Sequence, residues 1–401
     1  MSQVIHHFYI LPNREQLCYF DNIQPMNDSR RKFITQSVSA LSLAATSNII
    51  NFPLYAKEIS YGPERGIARL NWNENPYGPS KKALQAIIKS SYESAYYPDH
   101  LVNRLKDMIA EKHELTQNHI TISAGSTQAL TVLSQIQSRK NPIISSELTW
   151  DIPLLIARSS GGKIIRVENG HDLEINLQKM QNLHDENISM VHICNPNNPT
   201  GTILDPEKLA NALRIMSKTV LVLVDEAYNE VTDNPEANTM VKLIKEGHNI
   251  AISRTFSKIY GMAGQRVGYI IAKPEIIRTI NRKGTGEFST AMAGVSGAIA
   301  CYNDEEFLKF SKSKINEAKE MIIEVAKSNG LETLPSQTNF IYVNLGNINA
   351  DTFRDEMRKQ NIIIAGKYGK HTNWSRVSMG KIEDIQRYVD AFPAVLDHLT
   401  I

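Results

Sequence analysis

The sequence has little cysteine and no excess of either charge. Cys18, Cys194 and Cys301 are its three thiols in 401 residues. They are too few and too scattered for a disulfide framework, and no C-x-x-C pair suggests a structural zinc. Lys and Arg number 44 against 42 Asp and Glu, a net charge of +2. That balance argues against nucleic acid or an acidic membrane as a partner held by bulk charge. No apolar run approaches the roughly 20 residues of a membrane-spanning helix, and repeats and low-complexity linkers are absent. His113, His119 and His192 have no neighbours at metal-ligand spacing, so no metal site is expected. What is present is ordinary globular composition, 42% hydrophobic and 7% aromatic, in a chain long enough for two domains.

The first 56 residues read differently from the rest. Ser29-Arg30-Arg31-Lys32-Phe33-Ile34 precedes an uncharged stretch, 34–50, rich in Ser, Thr and Ala, with Ala56 as a small residue at a cleavage point. A basic region followed by a short apolar one is the layout of a secretion signal, and the paired arginines resemble a twin-arginine signal. The expectation is an exported, periplasmic protein. The alternative is a short amphipathic helix behind a disordered arm on a cytoplasmic protein. Met26 stands four residues before Arg30 and is an alternative start.

From about residue 59 the pattern is that of one enzyme. Residues 80–90, with Ser80 as N-cap, and 101–111 carry helical apolar spacing. Seven short apolar runs then alternate with helical patterns: 120–123, 142–145, 163–167, 190–194, 220–224, 250–253 and 267–271. Such runs predict an α/β fold with a mainly parallel seven-stranded sheet sandwiched by helices. Beyond about 290, a long charged helix at 305–326 and a strand pair near 339–344 and 376–378 predict a smaller α+β domain. The expected division is an arm at 57–95 contributing to the small domain, a large domain at 96–290 and a small domain at 291–401.

The chemistry gathers at the C-terminal ends of the strands, where open α/β sheets bind ligands. The run at 219–224 ends in Asp225-Glu226-Ala227-Tyr228, and an acid delivered there by a buried strand needs a cationic partner. A protonated heterocyclic nitrogen would serve. Ser253-Arg254-Thr255-Phe256-Ser257-Lys258 sets a lysine among hydroxyls after another strand, and Arg266 follows eight residues later. A lysine for a Schiff base, an acid for a ring nitrogen, and Arg with Ser/Thr for a phosphate are what pyridoxal phosphate requires.

Asn195-Pro196-Asn197-Asn198-Pro199-Thr200-Gly201, Asp225-Glu226-Ala227-Tyr228 and Ser257-Lys258 with Arg266 form an ordered set that resembles the fold-type I aminotransferases. Leu70-Asn71-Trp72-Asn73-Glu74-Asn75-Pro76-Tyr77-Gly78 and Tyr97-Pro98-Asp99 resemble the histidinol-phosphate aminotransferase branch, and the likeness spans roughly 65–400. It implies that Lys258 forms the Schiff base and moves the substrate Cα proton, and that Asp225 pairs with the pyridinium nitrogen. Tyr228 and Asn198 would bond the cofactor's phenolic oxygen, and Trp150 would stack on its ring. Ser126, Thr127, Thr255, Ser257 and Arg266 would hold the phosphate. Tyr97 would reach that phosphate from the other subunit of a homodimer. Arg376 would clamp the substrate's acidic group, with Asn75, Tyr77 and Asn339 also on the substrate side.

Taken singly these residues have plainer readings: Asp225 as a helix cap, Arg266 as a surface cation, Trp150 as core filling, Arg376 in a structural ion pair. Their joint order favours the site. The chain departs from the branch at 362–367, where Ile-Ile-Ile-Ala-Gly-Lys replaces a strand-end Arg-Pro. A substrate phosphate would there meet the Lys367 ammonium instead of a guanidinium fork. The expected activity is transfer of an amino group from an amino acid or a histidinol-phosphate-like amine to a 2-oxo acid, 2-oxoglutarate by family habit. A decarboxylase or C–S lyase on the same fold is the alternative. A DNA-binding sensor is disfavoured, because 56 residues are too short for a helix-turn-helix unit.

Overall fold

In the computed structural model, which describes residues 61–400, strand β1 (Ala68–Leu70) comes first and belongs to a small sheet. The central sheet follows as β2 (Ile120–Ala124), β3 (Ile143–Ser146), β4 (Ile164–Val167), β5 (Met190–Cys194), β6 (Leu221–Asp225), β7 (Ile250–Thr255) and β8 (Val267–Ala272). Their order is β2-β8-β7-β6-β5-β3-β4, and all pairs are parallel except those of β8, which runs antiparallel to both β2 and β7. Each of the seven apolar runs is a strand, with ends moved by no more than two residues. The expected signal at 1–56 lies outside the described residues, as does Cys18.

Every residue of β5, β6, β7 and β8 is buried, which is why these strands read as continuous apolar runs and not as alternating ones. The two faces pack differently. Met190, Leu221, Leu223 and Ala251 face Leu130 and Leu133 of helix Ser126–Ser138. Val191, Ile193, Val222 and Val224 share the other core with Leu105, Ile109, Leu209 and Leu213. The period of two therefore carries Asp225 to the face of Leu221 and Leu223, and turns Glu226 away from it.

The later strands are β9 (Glu332–Thr333), β10 (Phe340–Asn344), β11 (Ile362–Ile364) and β12 (Trp374–Ser378). β12, β10 and β9 form an antiparallel sheet in which Arg376 lies opposite Tyr342 and Ser378 opposite Phe340. β1 pairs in parallel with β11, Ala68 opposite Ile362. The helices extend a little beyond the expected bounds, as Lys81–Ser91, Asp99–Lys112 and Glu305–Ser328. Ser80 caps the first by accepting from the Ala83 amide at 3.2 Å.

Between β1 and the first helix, residues 71–79 lie against the segment that follows β7. Gly78 and Gly261 meet backbone to backbone: a Cβ on Gly78 would stand 2.5 Å from the Gly261 Cα, and one on Gly261 2.4 Å from the Gly78 Cα. Neither neighbour is a flexible side chain that could yield. Gly78→Ala should therefore lower the unfolding free energy by about 1–3 kcal/mol, the usual cost of overpacking. Urea titration of the cofactor-free protein measures this, and an unchanged midpoint would show that the two segments are not in fixed contact.

Candidate active site

Adjacent carboxylates at the end of β6 have opposite environments. Glu226 is fully buried and paired: Arg254 Nη2 lies 2.7 Å from Oε2, and Oε1 accepts from the Met240 amide at 2.7 Å. Thr239 also donates to Glu226, and Arg254 pairs with Glu230 at 2.6 Å. Asp225, equally buried, accepts from the Ser253 hydroxyl at 2.8 Å and forms no ion pair among the described residues. Burial raises its carboxyl to about 6 against the opposing pull of Ser253 and Lys258. A buried carboxylate in this state is a site for a cation.

Lys258 projects into the same space. Its Nζ donates to the Asn73 carbonyl at 3.3 Å and lies 5.5 Å from the centre of the Tyr228 ring. Burial and then Arg376 bring its amine down to about 8, while Glu74 and Asp225 pull the other way. The buried Tyr228 hydroxyl accepts from Asn73 Nδ2 at 3.0 Å and from Asn198 Nδ2 at 3.4 Å. Arg376 reaches the group from β12, donating to Asn198 Oδ1 at 2.6 Å and to the Asn71 carbonyl at 2.7 Å. Its guanidinium is buried between the rings of Phe340 and Tyr368, 5.3 and 5.2 Å away. It meets no carboxylate among the described residues, and its Nε has no hydrogen-bond partner.

A second cationic group lies beside the start of helix Ser126–Ser138. Arg266 Nη1 donates to Ser257 Oγ at 3.1 Å, and Thr255 Oγ1 donates to the same oxygen at 3.0 Å. The Gly125 backbone, at φ 70, presses on this guanidinium so closely that a Cβ there would fall 2.1 Å from Nη2. A Cβ on Gly268 would fall 2.2 Å from the Ser126 amide nitrogen. No side chain caps the helix start, so its first amides, Ser126, Thr127, Thr255, Ser257 and Arg266 form an anion cup.

The aminotransferase class I and II family profile matches residues 65–392. The chain is 32% identical over 334 residues to histidinol-phosphate aminotransferase of Moorella thermoacetica, covering 83% of this chain and 86% of that protein. It is 30% identical over 342 residues to the same enzyme of Akkermansia muciniphila, covering 85% and 93%. Among solved structures, histidinol-phosphate aminotransferase of Sinorhizobium meliloti in complex with pyridoxal-5'-phosphate superposes with a TM-score of 0.78 at 26% identity, covering 89% of this chain and 100% of that one. The chain belongs to the class I and II aminotransferases.

This aminotransferase is a pyridoxal-phosphate enzyme, and its residues fit that group. The unpaired Asp225 suits a ring nitrogen, Lys258 a carbonyl carbon, and the cup a phosphate. A decarboxylase or C–S lyase is not favoured, because the curated relatives are aminotransferases.

The expected site residues do not all converge within one chain. Lys258, Asp225, Tyr228, Asn198, Arg376 and the five cup residues line one region. Trp150 is half-buried against the core that contains Leu130 and Leu154. Tyr97 is 72% exposed, edge-on to Phe288 at 6.1 Å. Asn75 donates to the Ile259 carbonyl and to Ser311, so both its amide hydrogens are occupied. The Tyr77 hydroxyl accepts from the Ile382 amide at the start of the last helix. Asn339 donates to the Asn73 and Glu74 carbonyls and leaves Oδ1 without a partner.

The sequence reading missed Asn73, Ser378, and the pairing of Arg254 with Glu226. For that pair a signal exists. Asp225-Glu226 and Ser253-Arg254 have matching alternation, and Asp225 lies opposite Ser253, so Arg254 follows Glu226 to the other face.

The raised Asp225 carboxyl has a consequence for stability. Between the usual carboxylate range and pH 6 the native state holds a proton that the unfolded chain has released, so stability falls as pH rises through that window. Asp225→Asn should stabilise the cofactor-free protein by the order of 1–3 kcal/mol at pH 7.5 and by almost nothing at pH 4. Turnover should fall ~10²–10³-fold. Denaturant titrations at the two pH values check it, and a variant no more stable at pH 7.5 would contradict the assignment of an uncompensated charge.

Proposed function

We propose that this aminotransferase takes an amino group from a donor bearing one anionic group, an amino acid or a histidinol-phosphate-like amine, and passes it to a 2-oxo acid. The observation that carries the reading is Arg376, a buried guanidinium without a carboxylate, in the same hydrogen-bonded group as Lys258. A planar fork suits either a carboxylate or a phosphate. The names of the curated relatives support an amino-alcohol phosphate donor. A carboxylate donor is supported by the absence of an Arg-Pro from 362–367, where Lys367 stands as a substitute cation with its ammonium 3.5 Å from Asp351.

Bound here, pyridoxal phosphate supplies an electron sink for the pair released when a substrate Cα–H bond breaks. Lys258 Nζ takes that proton and returns it, and a lowered pKa gives the amine a neutral fraction near pH 7. Asp225 holds a proton on the cofactor's ring nitrogen through charge pairing. Tyr228 and Asn198 serve the phenolic oxygen, and Trp150 covers the ring. Ser126, Thr127, Thr255, Ser257 and Arg266 anchor the phosphate, Arg376 fixes the substrate's acidic end, and the free Oδ1 of Asn339 accepts from a substrate N–H or O–H. The division into an arm, a large domain and a small domain belongs to the same proposal, supported by the separate sheets.

The enzyme works as a homodimer in this proposal, with Tyr97 reaching the phosphate of the second copy. Support comes from the exposure of Ile88, Tyr92, Tyr96, Tyr97 and Phe288 around the end of helix Lys81–Ser91, an apolar surface that a partner would cover. Sedimentation of the loaded enzyme tests it; a monomer with full activity would refute it. Export to the periplasm is supported by the paired arginines at 30 and 31. A mature native protein that still begins upstream of residue 56 would count against it.

Lys258→Ala should abolish turnover and leave the cofactor bound through its phosphate. In the parent enzyme the visible cofactor band, titrated with histidinol phosphate and with aromatic and acidic amino acids, should be discharged by one donor class, with a 2-oxo acid product from an amino acid or a 2-oxoalkyl phosphate from histidinol phosphate. Release of CO2 or a thiol would overturn amino transfer, and full activity of Lys258→Ala would overturn the role of the lysine.

A further inference from the structure

Asn73 is buried and has the left-handed backbone φ of 54, a conformation that asparagine tolerates better than most residues. In that conformation every polar atom of the residue is engaged at the site. The carbonyl accepts from Lys258 Nζ at 3.3 Å and from Asn339 Nδ2 at 2.9 Å. The backbone N–H donates to Ser378 Oγ at 3.0 Å, and the same hydroxyl donates to Asn73 Oδ1 at 2.6 Å. Nδ2 donates to the Tyr228 hydroxyl at 3.0 Å.

Ser378 decides which way this amide faces. Its oxygen already accepts from the Asn73 N–H, and its single hydrogen needs an acceptor, so Oδ1 must face Ser378 and the NH2 end must face Tyr228. On the other side of the phenol, Asn198 is oriented in the same way, with Arg376 donating to its Oδ1. Two donors therefore converge on the Tyr228 oxygen, and the phenolic hydrogen is directed away from both.

We propose that Asn73 is a positioning residue that sets the proton balance of the site, its amide fixing Tyr228 as a hydrogen-bond donor and its carbonyl holding the Lys258 amine. The proposal rests on the reading above, in which Tyr228 serves the cofactor's phenolic oxygen and Lys258 is the reacting amine. The charged and titratable groups that face Lys258 are Arg376 from β12, Glu74 from the segment before the first helix, Asp225 from β6, Arg266 from the loop before β8, and Tyr228, whose ring centre is 5.5 Å from Nζ. Tyr228 is faced by Arg376, Cys194, Asp225 and Lys258. Burial raises the phenol, and the Asn73 hydrogen bond opposes that rise. Without the bond Tyr228 becomes a weaker donor, the anionic cofactor oxygen is less stabilised, and the cofactor–lysine proton is retained to higher pH.

The test uses Asn73→Gly, because glycine adopts a positive φ without strain and keeps the carbonyl. The pH midpoint of the visible cofactor band is measured in the parent, Asn73→Gly, Tyr228→Phe and the double variant. Asn73→Gly should raise the midpoint by ~0.5 unit and Tyr228→Phe by more, and the double variant should shift no further than Tyr228→Phe alone. An equal Asn73→Gly shift in both backgrounds, or none in either, would overturn the proposal. Ser378→Ala, which frees the amide to turn, should move the midpoint in the same direction by less, and it stands in should Asn73→Gly not fold.

Cofactor-free protein gives a second readout, the pH dependence of Lys258 acetylation followed by mass spectrometry. Asn73→Asp should raise that midpoint by ~1 unit or more and Asn73→Gly should leave it in place. An unmoved Asn73→Asp midpoint would overturn the lysine half. Absence of any visible band in the parent enzyme would refute the cofactor reading, and the acetylation midpoints would still judge Asn73.

Discussion

A carboxylate carried to the end of a buried strand must find a positive charge or keep its proton, and Asp225 is left in that position by the fold. Its neighbour Glu226 turns to the opposite face and takes Arg254, while Asp225 feels Lys258 only at a distance and forms no ion pair among the described residues. The cost of burying Asp225 is borne by the folded protein before any ligand arrives. A cation delivered to that carboxylate recovers it, which ties cofactor binding to the stability of the sheet edge. The same constraint bears on the polar groups nearby, where Ser253 donates to Asp225 and Asn73 and Asn198 donate to Tyr228. In a space that already holds an unpaired charge, further unsatisfied groups would compound the cost.

The surrounding cations are kept apart by geometry. Arg266 is pressed against Gly125 and held by Ser257, while Arg376 is held by Asn198 and the Asn71 carbonyl between two aromatic rings. Each is immobilised by neutral acceptors and not by carboxylates, so each keeps its full charge for an anion from outside. Lys258 feels both, and burial together with Arg376 lowers its amine. One arrangement of charge thus serves two ends. It offers two anion sites and makes the amine a better base at neutral pH.

The segment 71–79 joins these parts. Asn73 touches Lys258, Tyr228, Asn339 and Ser378, and Gly78 lies directly on Gly261. Ser378 is 305 positions away in sequence, two residues beyond Arg376 on β12. Movement of this segment would therefore be felt at the lysine, the tyrosine and the arginine strand together.

The amino-acid sequence by itself determined the strands, the ordered motifs and the chemistry they imply, because those signals are local. Apolar runs of strand length, a lysine among hydroxyls and an acid at a strand end can each be read within a few residues. The tertiary structure decided which of two adjacent acids would be neutralised, since that depends on the register of β6 against β7. It also decided that Asn75 and Tyr77 would hold the segment 71–79 in place while Asn73, unremarkable in the motif, would face the lysine. Asparagine permits a left-handed turn without requiring one, and the partner of Asn73 on β12 reaches it only when the chain has closed. Pairing of β1 with β11 is of the same kind: three-residue strands have too little local preference to be legible, and they form because each supplies the other's backbone hydrogen bonds.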